Sequence, residues 1–434
     1  MINTREKKFA GILILFLFLV GIYSSFAQAQ TQILKRAKTV NAGIPDVSIE
    51  NVYPIRLPGA DLPEAGIYDA IDSNSPLHWD DQGNLYFFPS VRYPFRSSGK
   101  SLYTLSPTAQ RTTIEDAVGV EGGKWLEATW RTDDGTLYGW YHNEPPGICA
   151  NDPHLSAPRI GAMISRDEGA TWKDLGIILE APADSLDCKT QNYYFAGGNG
   201  DFSVMLDPDK KYFYFFFGSY HRQIEEQGVS IARMNYEDRN QPAGKVWKWR
   251  DGEWNEPGLG GHITPIFPVI NDWHALEPDA YWGPSIHFNT YLGGYVIVFN
   301  HAIDRYWNQE GVYISYNDDL SNPYGWMSPD RLPFDAQGMA YPQIVGIEKG
   351  GTDKLAGQSA RLLLLGQSTW QITFRLDGKD GDGECDDCLG ETPVRPPLPP
   401  HDLPPVRQSV RAARVSILNN QGRHKRTGTQ RLNQ

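Results

Sequence analysis

The chain has 434 residues, with 40 Lys and Arg against 52 Asp and Glu for a formal charge of −12; 40% of its residues are hydrophobic and 12% aromatic. That content is too rich for a disordered chain, and no internal apolar run reaches the roughly 18 residues of a membrane span. Net acidity excludes a nucleic-acid binder, which needs a basic face for phosphates. The length exceeds one ordinary domain of about 100–200 residues, so the chain holds two domains or one large repeated architecture.

Residues 1–29 read as a secretory signal. Arg5, Lys7 and Lys8 form its positive start, Phe9 to Tyr23 its apolar stretch, and Ala27-Gln28-Ala29 its cleavage site. An uncleaved anchor is the alternative, for which the apolar stretch is short. The expected product starts at Gln30 and is secreted, periplasmic or extracellular, as a monomer. In an oxidising compartment, Cys149 and Cys188 are expected to pair, two free thiols being the alternative. Cys385 and Cys388 have only His401 nearby, too few ligands for zinc.

Residues 30–376 form the predicted folded domain; from residue 45 to 376 they alternate Tyr, Phe, Trp, Val and Ile with Gly, Asp and Asn turns, without sustained helical periodicity, so this body is all-β. One local pattern recurs, opening at Asp72, Glu127, Asp201, Gly283 and Tyr341: a strand, a polar turn, and a very aromatic returning strand. Most copies carry two further strands. Four antiparallel strands per repeated unit predict a five-bladed β-propeller, with a sixth blade or stacked sandwiches as alternatives. The fifth unit lacks an outermost strand, and VSIENVYPI near the start of the mature chain is predicted to supply it and close the ring.

Ser165-Arg166-Asp167-Glu168-Gly169-Ala170-Thr171-Trp172 fits the Asp-box S-x-D-x-G-x-T-W, a hairpin staple similar to that of sialidases. Its Asp accepts backbone N–H groups and its Gly permits positive φ. A degenerate copy starts at Ser315. The overall plan resembles the five-bladed propeller glycosidases: arabinanases, β-xylosidases and β-fructosidases. The resemblance implies three axial carboxylates from the first three blades, acting as base or nucleophile, pKa modulator and general acid. Those openings here carry Asp72, Glu127 and Asp201. Glycosidic cleavage needs one protonated and one ionised carboxyl, and a third raises its neighbour's pKa. The family order Asp, Asp, Glu reads Asp, Glu, Asp here. The assignment taken is Asp72 as base or nucleophile, Glu127 as general acid and Asp201 as modulator.

Around the same axis, Asn74, His142, Glu144, His221, Arg222, Trp282, Tyr341 and Gln343 are candidate sugar-binding residues, with Glu144 a second candidate acid. Tyr281 and Trp79 are candidate stacking platforms, and His287 is a packed core histidine or an axial ligand. Against the glycosidase stands Pro54-Ile55-Arg56-Leu57-Pro58, similar to the Arg-Ile-Pro element of sialidases. A sialidase needs three converging arginines, to be found among Arg56, Arg96, Arg222 and Arg305.

Residues 377–434 turn acidic, then Pro-rich, then basic, and read as a disordered tail. Its DGDGE lacks full calcium-loop spacing. The sequence thus predicts a secreted glycoside hydrolase acting on a poly- or oligosaccharide, an arabinan-like furanoside favoured, with no cofactor beyond a structural calcium ion. The alternatives are a non-catalytic carbohydrate- or partner-binding propeller and a sialidase.

Overall fold

The computed structural model describes residues 45–59, 71–115, 121–335 and 339–376. The expected export signal and the tail with Cys385 and Cys388 lie outside them. Five sheets, each with an antiparallel body, follow one another round the ring, and short parallel edge pairings extend the second and the fourth. The innermost strands of these bodies are Leu77–Trp79, Gly123–Arg131, Asn199–Leu206, Ala280–Asn289 and Pro342–Gly346. The molecule is a five-bladed β-propeller.

Blade three shows why the strands are so aromatic. Along Tyr212–Ser219, Phe213, Phe215 and Phe217 pack with Trp140 and Ile160 of blade two. Tyr214 and Phe216 point the other way, to Phe299 and Trp326 of blade four. A period-two strand between two neighbours buries both faces, so polar alternation vanishes. Equivalent apolar clusters fill the other blade interfaces.

The ring closes as the sequence predicts. Asp46–Arg56 becomes the outermost strand of blade five, antiparallel to Gln367–Arg375, with Asp46 opposite Arg375 and Ile49 opposite Ile372. This covers an otherwise open edge. At the inner end, Gln343 grips blade one through both amide atoms, donating to the Ser75 carbonyl at 2.9 Å and accepting the Ser75 N–H at 3.3 Å. The Asn74 amide donates to the carbonyls of Phe202 and Pro284 at 2.9 and 2.8 Å, joining blade one to blades three and four across the axis. Cys149 and Cys188 form a disulfide between two loops.

The outer-rim turns behave as staples. Asp167 accepts the Thr171 N–H and hydroxyl at 2.9 and 2.8 Å, and Trp172 lies buried edge-on to Phe88 of blade one. A Cβ on Gly169, at φ +77°, would strike that Phe88 ring. In the degenerate copy, Asn317 replaces the aspartate, its amide donating to the Asn322 carbonyl, and Trp326 packs on Phe216 and Phe267 of blade three. In both, the closing tryptophan seals its blade to the preceding one. Among the described residues, no helix is long and apolar enough to cross a membrane.

Candidate active site

The innermost strands of blades two and three bring Glu127 and Asp201 together, and the second strand of blade two, Leu137–Glu144, adds His142. One ligand atom from each of these three lies within 4.8 Å of the others, all in buried residues. Gly200 makes the approach possible, since a Cβ there would lie 2.6 Å from the imidazole. Asp201 takes φ +44° at a bulge in its strand. For a non-glycine residue that conformation is uncommon and is held by its surroundings.

Glu127 Oε2 accepts the Phe202 N–H at 2.6 Å, while Oε1 has no hydrogen-bond partner and faces His142 Nδ1 at 3.4 Å. The Asp201 N–H donates to the same Nδ1 at 3.1 Å, and Nε2 meets Glu144 Oε1 at 3.2 Å. Tyr220 donates to Asp201 Oδ2 at 2.5 Å, and the Tyr341 hydroxyl stands 3.5 Å from Oδ1. Tyr341, itself at φ +55°, feels the charge of both Asp201 and Asp72. Asp72 is exposed at the mouth, where its charge also acts on Tyr194.

Among the described residues, no Arg or Lys pairs with Glu127 or Asp201. Burial above all, helped by the charge of Glu127 and opposed by His142, pushes Asp201 up to about 7. Burial also raises Glu127, against its contacts with His142 and Phe202. For His142, burial alone would lower the pKa, but Glu127, Glu144 and Asp201 outweigh it and carry it above the usual imidazole value. The Asp201 N–H wants a lone pair on Nδ1 where a charged ring would carry hydrogen. The shorter contact, 3.1 Å against 3.4 Å, favours the lone pair on Nδ1 and the ring hydrogen on Nε2 towards Glu144.

The other expected residues separate by environment. Glu144 joins the cluster through His142, its side chain about one-third exposed. Asn74 and Gln343 are ties between blades, their amides spent on backbone. His221 is turned away from the acids: 0% exposed, it bonds Glu226 through Nδ1 and Asn199 through Nε2, leaving no nitrogen for a sugar. Arg222 is exposed. Trp282 is only 3% exposed, wedged between Trp307 and Tyr341, so it supports the site and offers no open face. Tyr281 packs on His301 and Tyr313. Trp79 stands at the other end of its strand, lining a cleft of about 480 Å³ with Trp130, Phe288 and Lys354. His287 is core, with burial lowering its pKa to about 3. Arg56 bonds Gln367 on the outer strand of blade five, and Arg96 bonds the Asp167 and Glu168 carbonyls on the rim, so neither can serve a sialidase-type arginine cluster. Sequence reasoning missed Tyr220, Tyr194 and Trp307, which look like ordinary strand and loop aromatics.

No protein-family model matches the chain, and no curated protein matches it in sequence. Among solved structures it is similar to an exo-β-1,3-galactanase from Phanerochaete chrysosporium with β-1,3-galactotriose bound, at 13% identity and a TM-score of 0.43, over 75% of this chain and 64% of that one. The chain therefore spans less than two thirds of the galactanase. It is also similar to an exo-1,5-α-L-arabinanase from a bovine ruminal metagenomic library, at 12% identity and a TM-score of 0.42, over 70% of this chain and 95% of that one. An α-L-arabinofuranosidase from Lactobacillus brevis matches at 15% identity and a TM-score of 0.43, over 70% and 90%. The chemistry assigned to this chain rests on its own residues.

Proposed function

We propose that this protein is an exported glycoside hydrolase whose axial acids cleave a poly- or oligosaccharide, an arabinan-like furanoside being the favoured substrate. The observation that carries this reading is the buried cluster of Glu127, His142 and Asp201, in which burial pushes Asp201 up to about 7, with Tyr341 under the charge of both Asp201 and the exposed Asp72. Glycosidases need a split of protonation states between two carboxyls. The environments revise the roles expected from the sequence. Glu127 is 1% exposed with Oε2 capped by a backbone N–H; it touches no substrate and serves as the modulator that keeps Asp201 protonated. Asp201 is the general acid, with Oδ1, held only by the long 3.5 Å contact from the Tyr341 hydroxyl, the oxygen that would turn towards a leaving group. Asp72 is the base or nucleophile. His142 orients the Asp201 backbone and Tyr220 fixes its carboxyl.

A second reading, a carbohydrate-binding propeller without catalysis, is favoured by the 3% exposure of Asp201 and its hydrogen bond from Tyr220. Hydrolysis of arabino-, xylo- and galacto-oligosaccharides by wild type, Asp72→Asn and Asp201→Asn decides between them. The hydrolase reading expects sugar release by wild type, a fall of about 10²-fold or more in each variant, and wild-type activity that declines as pH rises through about 7, where Asp201 loses its proton. Binding of oligosaccharide without release by the wild type would establish the second reading.

A further inference from the structure

A continuous run of rings leads from the acids to the surface. Tyr341 meets Trp282 at 5.1 Å between centroids, Trp282 meets Trp307 at 4.6 Å, and Trp307 meets Tyr194 at 4.9 Å. Tyr194 meets Tyr193 at 5.1 Å, and Tyr193 meets Tyr306 at 5.5 Å. Exposure rises along this path, from buried Trp282 and Trp307, through half-buried Tyr194 and Tyr193, to Tyr306 at 54%. The inner rings are packing. The outer two, Tyr193 and Tyr306, present aromatic surface to solvent beside the mouth at which Asp72 acts on Tyr194.

These outer rings are held in place. The Tyr193 N–H donates to the Arg305 carbonyl at 3.2 Å, and the Arg305 N–H to the Leu276 carbonyl at 2.9 Å, locking three loops together. Asp304 accepts the Tyr306 and Asn308 N–H groups at 2.9 and 3.1 Å, and Asn192 accepts the Tyr194 N–H at 2.8 Å. The Arg305 guanidinium lies 5.4 Å from the Tyr306 ring. The Cys149–Cys188 disulfide anchors the segment that carries Tyr193 and Tyr194. A rigid aromatic ring with a polar tip loses little entropy when a ligand stacks on it, and the C–H face of a sugar is such a ligand.

We propose that Tyr193 and Tyr306 form a stacking platform for an outlying ring of the glycan whose scissile bond sits at Asp72 and Asp201, so that the site takes chains rather than single sugars. The proposal rests on the hydrolase reading for its register and on ring geometry for its existence. The Asp72 charge reaches Tyr194, whose ring meets Tyr193 at 5.1 Å, and this nearness to the acid argues for another ring of the same glycan as the occupant.

The test is chain-length dependence in 1,5-α-L-arabino-oligosaccharides and 1,3-β-galacto-oligosaccharides of two to six rings. For the series that the wild type cleaves, Tyr306→Ala is expected to lower kcat/KM for four rings and longer by about tenfold, mainly through KM, while two-ring substrates change by less than about twofold. Tyr306→Trp is expected to restore the long-chain values, and circular dichroism to show an unchanged fold for this exposed position. Equal losses at every length, or none at any, would overturn the platform and leave hydrolysis standing. If the wild type cleaves neither series, calorimetric binding of the same oligosaccharides separates the two ideas. Affinity that grows with length and is lost in Tyr306→Ala supports the platform and overturns the hydrolase reading, while no binding at any length overturns both.

Discussion

Two buried carboxylates, each beside a histidine, have opposite fates in this molecule. In the outer part of blade three, Glu226 receives His221 at 2.8 Å, His262 at 2.9 Å and Arg250 at 2.9 Å. Burial alone would raise it, but these partners draw it down to about 2. His221 is correspondingly held neutral, burial lowering it to about 4, with Asn199 donating to Nε2 and Nδ1–H left to face Glu226. At the axis, the one basic partner of Glu127 and Asp201 among the described residues is His142, and both acids are raised. A buried acid matched by a guanidinium is architecture, because its charge is satisfied. An acid left without one keeps a proton that chemistry can use.

The sharpest way to break this contrast is to remove each carboxylate in turn. Glu226→Ala strands Arg250 and two histidines, and is expected to destabilise the fold by about 3–5 kcal/mol, read as a lowered urea midpoint. Stability against pH gives the next largest effect, with opposite signs at the two sites. Asp201 lies above its ordinary 3.8, so its contribution is full below that value and is lost as pH rises through about 7. Glu226 lies below its ordinary 4.5, so its contribution is full above that value and is lost as pH falls through about 2. Between pH 5 and 8 the wild type is expected to lose about 2–3 kcal/mol on account of Asp201, a slope absent from Asp201→Asn in urea titrations across that range. Glu127→Gln, which relieves the uncompensated burial, is expected to stabilise by about 1–2 kcal/mol while reducing hydrolysis, the usual opposition of stability and function. The smallest effect is at Asn199→Ala. Loss of the donor to Nε2 is expected to move His221 up by less than about one unit in an NMR titration, and no rise would remove that amide from the account of its neutrality.

Much of the architecture was legible because it is written in local chemistry. The alternation in Tyr212–Ser219, the turn residues between strands and the missing fifth-unit strand each report a contact the chain must make. Even the convergence of Glu127 and Asp201 followed from their place at strand openings. What escaped depends on where a side chain lies in depth. Trp282 and Tyr306 look alike in sequence, yet one is core and the other surface. His221 follows Tyr220 directly, and a period of two sends Tyr220 to Asp201 and His221 to Glu226, a choice no motif announces. The roles proposed for Glu127 and Asp201 differ from those expected from the sequence for the same reason. A pKa is set by which neighbours lie within a few ångströms, and here that depends on a bulge and a left-handed aspartate.

The pairing of Asp46 with Arg375 also fixes how the domain responds to force. Both ends of the propeller leave from neighbouring strands at one end of the same ladder. Tension applied through them loads the hydrogen bonds one pair at a time, so blade five peels open before any other blade bears load. By the same adjacency, the two ends can be spliced into a surface turn of a host protein without stretching the ring.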